Sequence, residues 1–174
     1  DVDSISGKSF SVGLYLKRRR NGVLEICFSM GDGLGTRGAV QLYFNSDNTM
    51  WFDLYSEYTI TSSAYPSDTG VWVHWAFVYN KANNAMIIFR DGVVQTPREA
   101  GAASGGSNNG GTSGGPSTAT GAIYLGVWKG YLSSYPFNGN MDELRVYADR
   151  ALSPSDVASM MTNPLTNDAG LVLA

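Results

Sequence analysis

Acid–base and nucleophilic chemistry need a histidine or thiol beside a hydroxyl or carboxylate. This chain offers one of each, His74 and Cys27. His74 lies inside Val71-Trp72-Val73-His74-Trp75-Ala76-Phe77-Val78-Tyr79, the most apolar run of the sequence, which reads as a core position. Cys27 sits in Val23-Leu24-Glu25-Ile26-Cys27-Phe28, also strand-like, and reads as a small buried apolar residue. A lone cysteine excludes an internal disulfide. Retaining glycoside hydrolysis needs two carboxylates about 5–5.5 Å apart. The four glutamates, Glu25, Glu57, Glu99 and Glu143, are far apart in sequence, and the neighbours Asp142 and Glu143 are expected to face opposite ways on a strand. There is no Gly-x-x-x-x-Gly-Lys, His-Glu-x-x-His or Cys-x-x-Cys. The residues therefore point to a protein without catalysis.

Binding chemistry is better represented. Trp128, Tyr131 and Tyr135 frame the segment from Lys129 to Pro136. A flat ring with nearby amides gives an apolar platform and hydrogen bonds, the two things a ligand site combines. Trp128 continues an apolar strand, so packing is its commoner fate; Tyr131 and Tyr135 are freer. Arg18-Arg19-Arg20 follow Lys17 and could attract an anion. Neighbouring strand residues point to opposite faces, so the expectation is a solvated strand end that protects an edge.

The elements that must position these residues are mostly strands. Phe10 to Leu16, Val40 to Phe44, Met50 to Tyr55, Val71 to Tyr79, Met86 to Phe89, Ala122 to Trp128 and Met141 to Tyr147 carry strand signals. Both faces of the run from Val71 are apolar, which predicts cover on both sides. Asp91-Gly92 before Val93-Val94 is a strong hairpin signal, because a type I′ turn needs positive φ at both positions. Many short strands with polar turns indicate an all-β, two-sheet sandwich. One helix is marked by Ser153 as N-cap, Pro154 in the first turn and Asp156 three after the cap. Leu152 and Val157 are spaced as a hydrophobic staple. The helix is expected to run to about Met161 and to pack over one end of the sandwich.

The chain has 174 residues, which suits one domain over 1–174. Twelve Lys and Arg against fifteen Asp and Glu give a formal charge of −3, which argues against a basic nucleic-acid binder. No uncharged apolar run reaches the ~18–20 residues of a membrane span. Eight of the 21 glycines fall between Gly101 and Gly121, a chargeless segment that reads as a long flexible loop within the domain.

Two stretches resemble the laminin G-like, pentraxin-like family of concanavalin A-type jelly-roll sandwiches. Val71 to Asn80, followed by Met86 to Gly92, looks like that family's Trp-x-His strand and hairpin. Phe137-Asn138-Gly139-Asn140-Met141-Asp142-Glu143-Leu144-Arg145-Val146-Tyr147, leading to Ser153, is similar to its closing strand and capped helix. Lys8 to Leu16 is similar to an early family strand, with Tyr15 where the family has tryptophan. The resemblance implies a jelly roll with one short C-terminal helix. Gly170-Leu171-Val172-Leu173-Ala174 resembles the start of a family domain. Either the chain is a piece of a larger, repetitive protein, or its last strand takes the place of a first one.

The family often holds calcium, which takes six to eight oxygen ligands. The resemblance implies Ca2+ at Asp142, with Asp3 or Asp1 supplying a second carboxylate. Asp142 could instead accept loop amides or pair with Arg145. Asp32, Asp47, Asn48 and Asp68 could form a second, rim-type site, although such residues commonly cap their own turns. The function implied is a non-catalytic extracellular or cell-surface recognition and adhesion module that binds glycan or protein through its loops. The alternative is a structural module packed against neighbouring copies or domains. A glycan-active enzyme of this fold is a third reading and lacks paired carboxylates.

Overall fold

Alternation in the sequence becomes alternation across two antiparallel sheets. A computed structural model of the chain describes residues 5, 7–31, 40–54, 58–61, 63–97, 122–128, 134–163 and 171–173. Its strands are β1 (Phe10–Arg18), β2 (Glu25–Met30), β3 (Val40–Phe44), β4 (Met50–Asp53), β5 (Tyr58–Ile60) and β6 (Val73–Asn80). They continue with β7 (Ala85–Arg90), β8 (Val93–Val94), β9 (Ile123–Leu125), β10 (Gly139–Ala148) and β11 (Leu171–Leu173). One sheet runs β11-β10-β1-β6-β7-β8 and the other β5-β4-β3-β2-β9. This is the expected jelly-roll sandwich. The strand β5 was not foreseen. The β7–β8 turn has φ 48° at Asp91 and 77° at Gly92, as a type I′ turn requires. The segment 101–121 lies outside the described residues. Among the described residues no helix is long and apolar enough to cross a membrane.

The core fills the space between the sheets. Phe10, Val12, Leu14 and Leu16 of β1 and Val73, Trp75, Phe77 and Tyr79 of β6 face Phe28, Leu42, Phe44 and Phe52 of the opposite sheet. Edge-to-face ring pairs lock the layers, Phe10 with Phe52 at 5.9 Å and Phe44 with Trp75 at 5.6 Å.

The second face of β6 is covered as well. Ala76 and Val78 pack with Phe89, Tyr147, Leu152, Val157 and Met160. The helix α1 (Pro154–Thr162) thus lies on the outer face of the six-stranded sheet. This corrects the expected position over one end, and the reason is the apolar second face of β6. Ser153 and Asp156 form the anticipated capping box. Leu152 and Val157 are both buried in the staple's place. At the other helix end Arg145 donates to the carbonyls of Met160 (2.6 Å) and Asn163 (2.8 Å) and pairs with Glu143 (2.9 Å). It thereby satisfies carbonyls that a helix C-terminus leaves open. Gly13 lies beneath the helix, where a Cβ would meet the Met160 thioether.

The charged strand end also differs from expectation. Arg18 is 1% exposed, not solvated. It follows Phe10, Val12, Leu14 and Leu16 in strand parity and so points inward, where Glu25 receives it at 3.3 Å. Its guanidinium lies over the Phe44 ring, 3.9 Å from the centroid.

His74 occupies the layer between sheet and helix, 2% exposed, with its ring 4.9 Å from Tyr15. Burial pushes its pKa down to about 4; Asp91 opposes the shift and Arg145 adds to it. The folded value lies below the ordinary value of about 6.5. The neutral ring is therefore favoured in the fold, and this contribution is complete above pH 6.5 and lost as pH falls toward 4. We expect about 3 kcal/mol of stability to disappear over that window. Urea unfolding of the wild type and of His74→Gln at a series of pH values checks this: the wild type must show the steeper decline, and equal slopes contradict it.

Candidate functional site

Three features place side chains on the outer face of the five-stranded sheet. In β3, Val40, Leu42 and Phe44 enter the core, so Gln41 and Tyr43 point outward. In β4, Met50 and Phe52 enter the core, so Trp51 and Asp53 point outward. In β2 the register shifts between Ile26 and Phe28, with Cys27 as the extra residue. That bulge lets Cys27 and Phe28 both enter the core while Ile26 faces out beside Tyr43. Burial pushes the Cys27 thiol far above its ordinary range, so it serves as packing.

Register then assembles two rows across the strands. Trp51 pairs with Tyr43, Tyr43 with Ile26, and Ile26 bridges to Pro136. Beside this apolar row runs a polar one: Asp53 opposite Gln41, Gln41 opposite Ser29, Ser29 opposite Tyr124. The Tyr43 and Trp51 rings stack with centroids 5.4 Å apart and planes 20° apart. The Trp51 indole N–H donates to Thr49 Oγ1 at 3.0 Å, which fixes the ring. The middle of the face is buried, with Ile26 at 3%, Ser29 at 2% and Gln41 at 9% exposure. Tyr43, Trp51, Asp53 and Tyr124 are half-buried. Neighbouring strands lie about 4.8 Å apart, so the apolar row extends roughly 14 Å.

One buried carboxylate anchors the end of that row. Glu25 is 0% exposed and accepts from Arg18 (3.3 Å), Arg20 (2.8 Å) and the Asn138 amide (3.0 Å). Arg20 also donates to the Pro136 carbonyl at 2.8 Å, and the Ile26 amide donates to the Tyr135 carbonyl at 2.9 Å. The segment 134–138 is thus stitched to β2. Tyr135 has φ 59° and its side chain is 52% exposed.

The residues singled out in the sequence fall in different places. Tyr135 stands at the edge of the apolar row, and Trp128 is half-buried just beyond β9. Tyr131, Asp1, Asp3 and Asp32 lie outside the described residues. Asp142 is exposed and pairs with Tyr15, whose hydroxyl reaches the Met161 carbonyl, so it belongs to the helix-bearing face of the other sheet. The structure does not bring Asp142 to Tyr135. Asp142 Oδ1 accepts from the Glu143 amide at 2.9 Å, and Arg145 pairs with Glu143, not with Asp142. A β-bulge opposite Leu14, with Glu143 at φ 52°, gives this arrangement. Among the described residues no three His, Cys, Asp or Glu gather. Asp47 accepts from the Thr49 amide and Asn48 turns at φ 63°, as turn residues do. Asp68, 3% exposed, is consumed in a two-pronged pair with Arg90 at 2.7 and 3.1 Å.

Tyr43 and Trp51 were not singled out by type. Their parity, opposite to the core residues of the same strands, was the available signal.

Residues 1–158 match the family model described as the concanavalin A-like lectin/glucanases superfamily. No curated protein sequence matches the chain. Among solved structures, the chain is similar to a putative carbohydrate binding protein from Bacteroides ovatus, at 17% identity and TM-score 0.70. That likeness covers 95% of this chain and 44% of the other, so the chain spans less than half of that protein. It is similar to a pentraxin from Limulus polyphemus, at 16% identity and TM-score 0.64, over 95% of this chain and 76% of that one. It is also similar to domain 4 of the arabinanase AbnA from Geobacillus stearothermophilus, solved with arabinotriose. There the identity is 25% and the TM-score 0.57, over 90% and 69% of the two chains.

Breaking a buried ion pair from one side leaves an uncompensated charge and typically costs about 3–5 kcal/mol. Glu25→Ala should lose stability on that scale, and Arg20→Ala, whose side chain is 40% exposed, much less. Chemical denaturation checks the order; equal small losses would contradict the anchoring role.

Proposed function

The chain belongs to the concanavalin A-like lectin/glucanases superfamily, and from that premise we propose that it is a non-catalytic carbohydrate-binding module working outside the cell or at its surface. The observation that carries the reading is the pair of rows on the five-stranded sheet. Stacked Tyr43 and Trp51 offer the flat apolar surface on which a sugar ring packs. Half-buried Asp53 and Tyr124 stand at the two ends of the polar row, with a carboxylate acceptor and a hydroxyl that both donates and accepts. Tyr135, whose carbonyl accepts from the Ile26 amide, is a further candidate contact at the Pro136 end of the apolar row.

The carboxylates argue in the same direction. Glu25 and Asp68 are buried within ion pairs, and Glu143 is bound to Arg145. None of these is a carboxyl group placed to share a substrate with a second one, as hydrolysis of a glycosidic bond requires. The arabinotriose held by the similar arabinanase domain supports an oligosaccharide as ligand.

A glycan array followed by calorimetry tests this. Trp51→Ala and Tyr43→Ala should each weaken the Kd of any sugar bound by at least about tenfold, or ~1.4 kcal/mol, with the folded signal retained. Tyr135→Ala should weaken it less. Binding that survives both row substitutions would remove the sheet face as the site.

A further inference from the structure

Strand parity divides the cationic run Lys17-Arg18-Arg19-Arg20. Arg18 and Arg20 turn to Glu25. Lys17 and Arg19 take the other parity, shared with Ser11, Gly13 and Tyr15, and so belong to the outer face of the six-stranded sheet, the one that carries α1. The geometry points to a second binding site on that face, beyond the C-terminal end of the helix, for an acidic saccharide: its ring on Trp72, its carboxylate or sulfate between Lys17 and Arg19.

The helix covers this face as far as Tyr15, whose hydroxyl donates to the Met161 carbonyl at 3.2 Å. The next row of the sheet lies past that contact. Register sets Lys17 opposite Asn140 of β10. On its other side Leu16 pairs with Val73, so Trp72, one residue earlier, comes beside Lys17. Trp72 has the parity of His74 and is 46% exposed. The Gly70 amide donates to the Arg18 carbonyl at 2.7 Å, which holds the segment bearing Trp72 against β1. Arg19 stands about 7 Å further along at strand spacing, its amide donating to the Asn138 carbonyl at 2.8 Å. Arg19 and Asn140 are exposed and Lys17 is half-buried.

Each member supplies something that a sugar acid needs. An exposed indole gives an apolar surface on which a sugar ring rests. An ammonium and a guanidinium replace the hydration of one anionic group from two sides, and the guanidinium fork matches two oxygens of a carboxylate or sulfate. The Asn140 amide adds donors and an acceptor for ring hydroxyls. The exposed Asp142 carboxylate stands one row nearer the helix, opposite Tyr15. It repels an anion there and so sets a direction: the acidic group lies toward Arg19 and the rest of the saccharide runs over Trp72. This site does not depend on the face proposed above, which belongs to the other sheet.

Titration of the full chain with oligogalacturonate against its methyl ester, and with dextran sulfate against dextran, tests this and separates carboxylate from sulfate. At least one acidic member should bind at least about tenfold tighter than its neutral form, with affinity that falls as NaCl is added. It should shift the Trp72 indole NMR signal and leave the Trp51 indole in place. Trp72→Ala should weaken binding about tenfold. Lys17→Gln together with Arg19→Gln should abolish it, with circular dichroism and the binding of any neutral sugar as in the wild type. Failure of both acidic saccharides to bind, equally tight binding of polyglutamate, or an affinity that both variants leave unchanged overturns the inference. A loss of the acidic sugar in Trp51→Ala alone overturns it too, because that sugar then lies on the opposite sheet.

Discussion

A carboxylate shut away from water organises one end of this protein. Glu25 cannot stand alone in the interior, because an unpaired buried charge is among the costliest features a fold can hold. Arg18 from β1, Arg20 beyond it and the Asn138 amide before β10 converge on it. Glu25 lies in the five-stranded sheet, Arg18 in the six-stranded one and Asn138 in the segment 134–138. Satisfying one charge therefore fixes how the sheets meet at that end and where Tyr135 and Pro136 stand. The same carboxylate keeps Arg18 and Arg20 occupied.

The proposed binding face is a consequence of register. A bulge of one residue at Cys27 reverses the parity of β2, so Ile26 joins Tyr43 and Trp51 on the outside while Phe28 joins the core. Without it the apolar row would break at its centre. The opposite sheet is treated differently. Its outer face carries α1, held by the Ser153 capping box at one end and Arg145 at the other. The second apolar face of β6 demands that cover, and His74, neutral and buried, tolerates it.

Much of this could be read from residue order. Alternation placed most strands, Asp91-Gly92 placed a turn, and Ser153 with Asp156 placed the helix start. These signals are local, so one stretch of sequence contains them whole. Arg18 was misread because three adjacent arginines look solvated, although its parity with Phe10 to Leu16 pointed inward. The helix position was misread because capping residues state that a helix begins, not what it lies on. The three-residue β5 is too short to announce itself. The paired rows were invisible for a deeper reason: Trp51, Tyr43, Ile26 and Pro136 become neighbours only through cross-strand register. Attention to aromatics in loops favoured Tyr131 and Tyr135 over a tyrosine and a tryptophan that alternate with core residues.

The account's central claim is that sugar lies on the outer face of the five-stranded sheet. The most direct measurement is a titration of isotopically labelled protein with a neutral oligosaccharide, followed by amide and indole NMR shifts. The account predicts saturable shifts at the Trp51 indole and at the amides of Gln41, Tyr43 and Ser29, with the helix-bearing sheet around Asp142 and Tyr15 unmoved. Saturable shifts centred on Asp142, with Trp51 and Tyr43 silent, would contradict it.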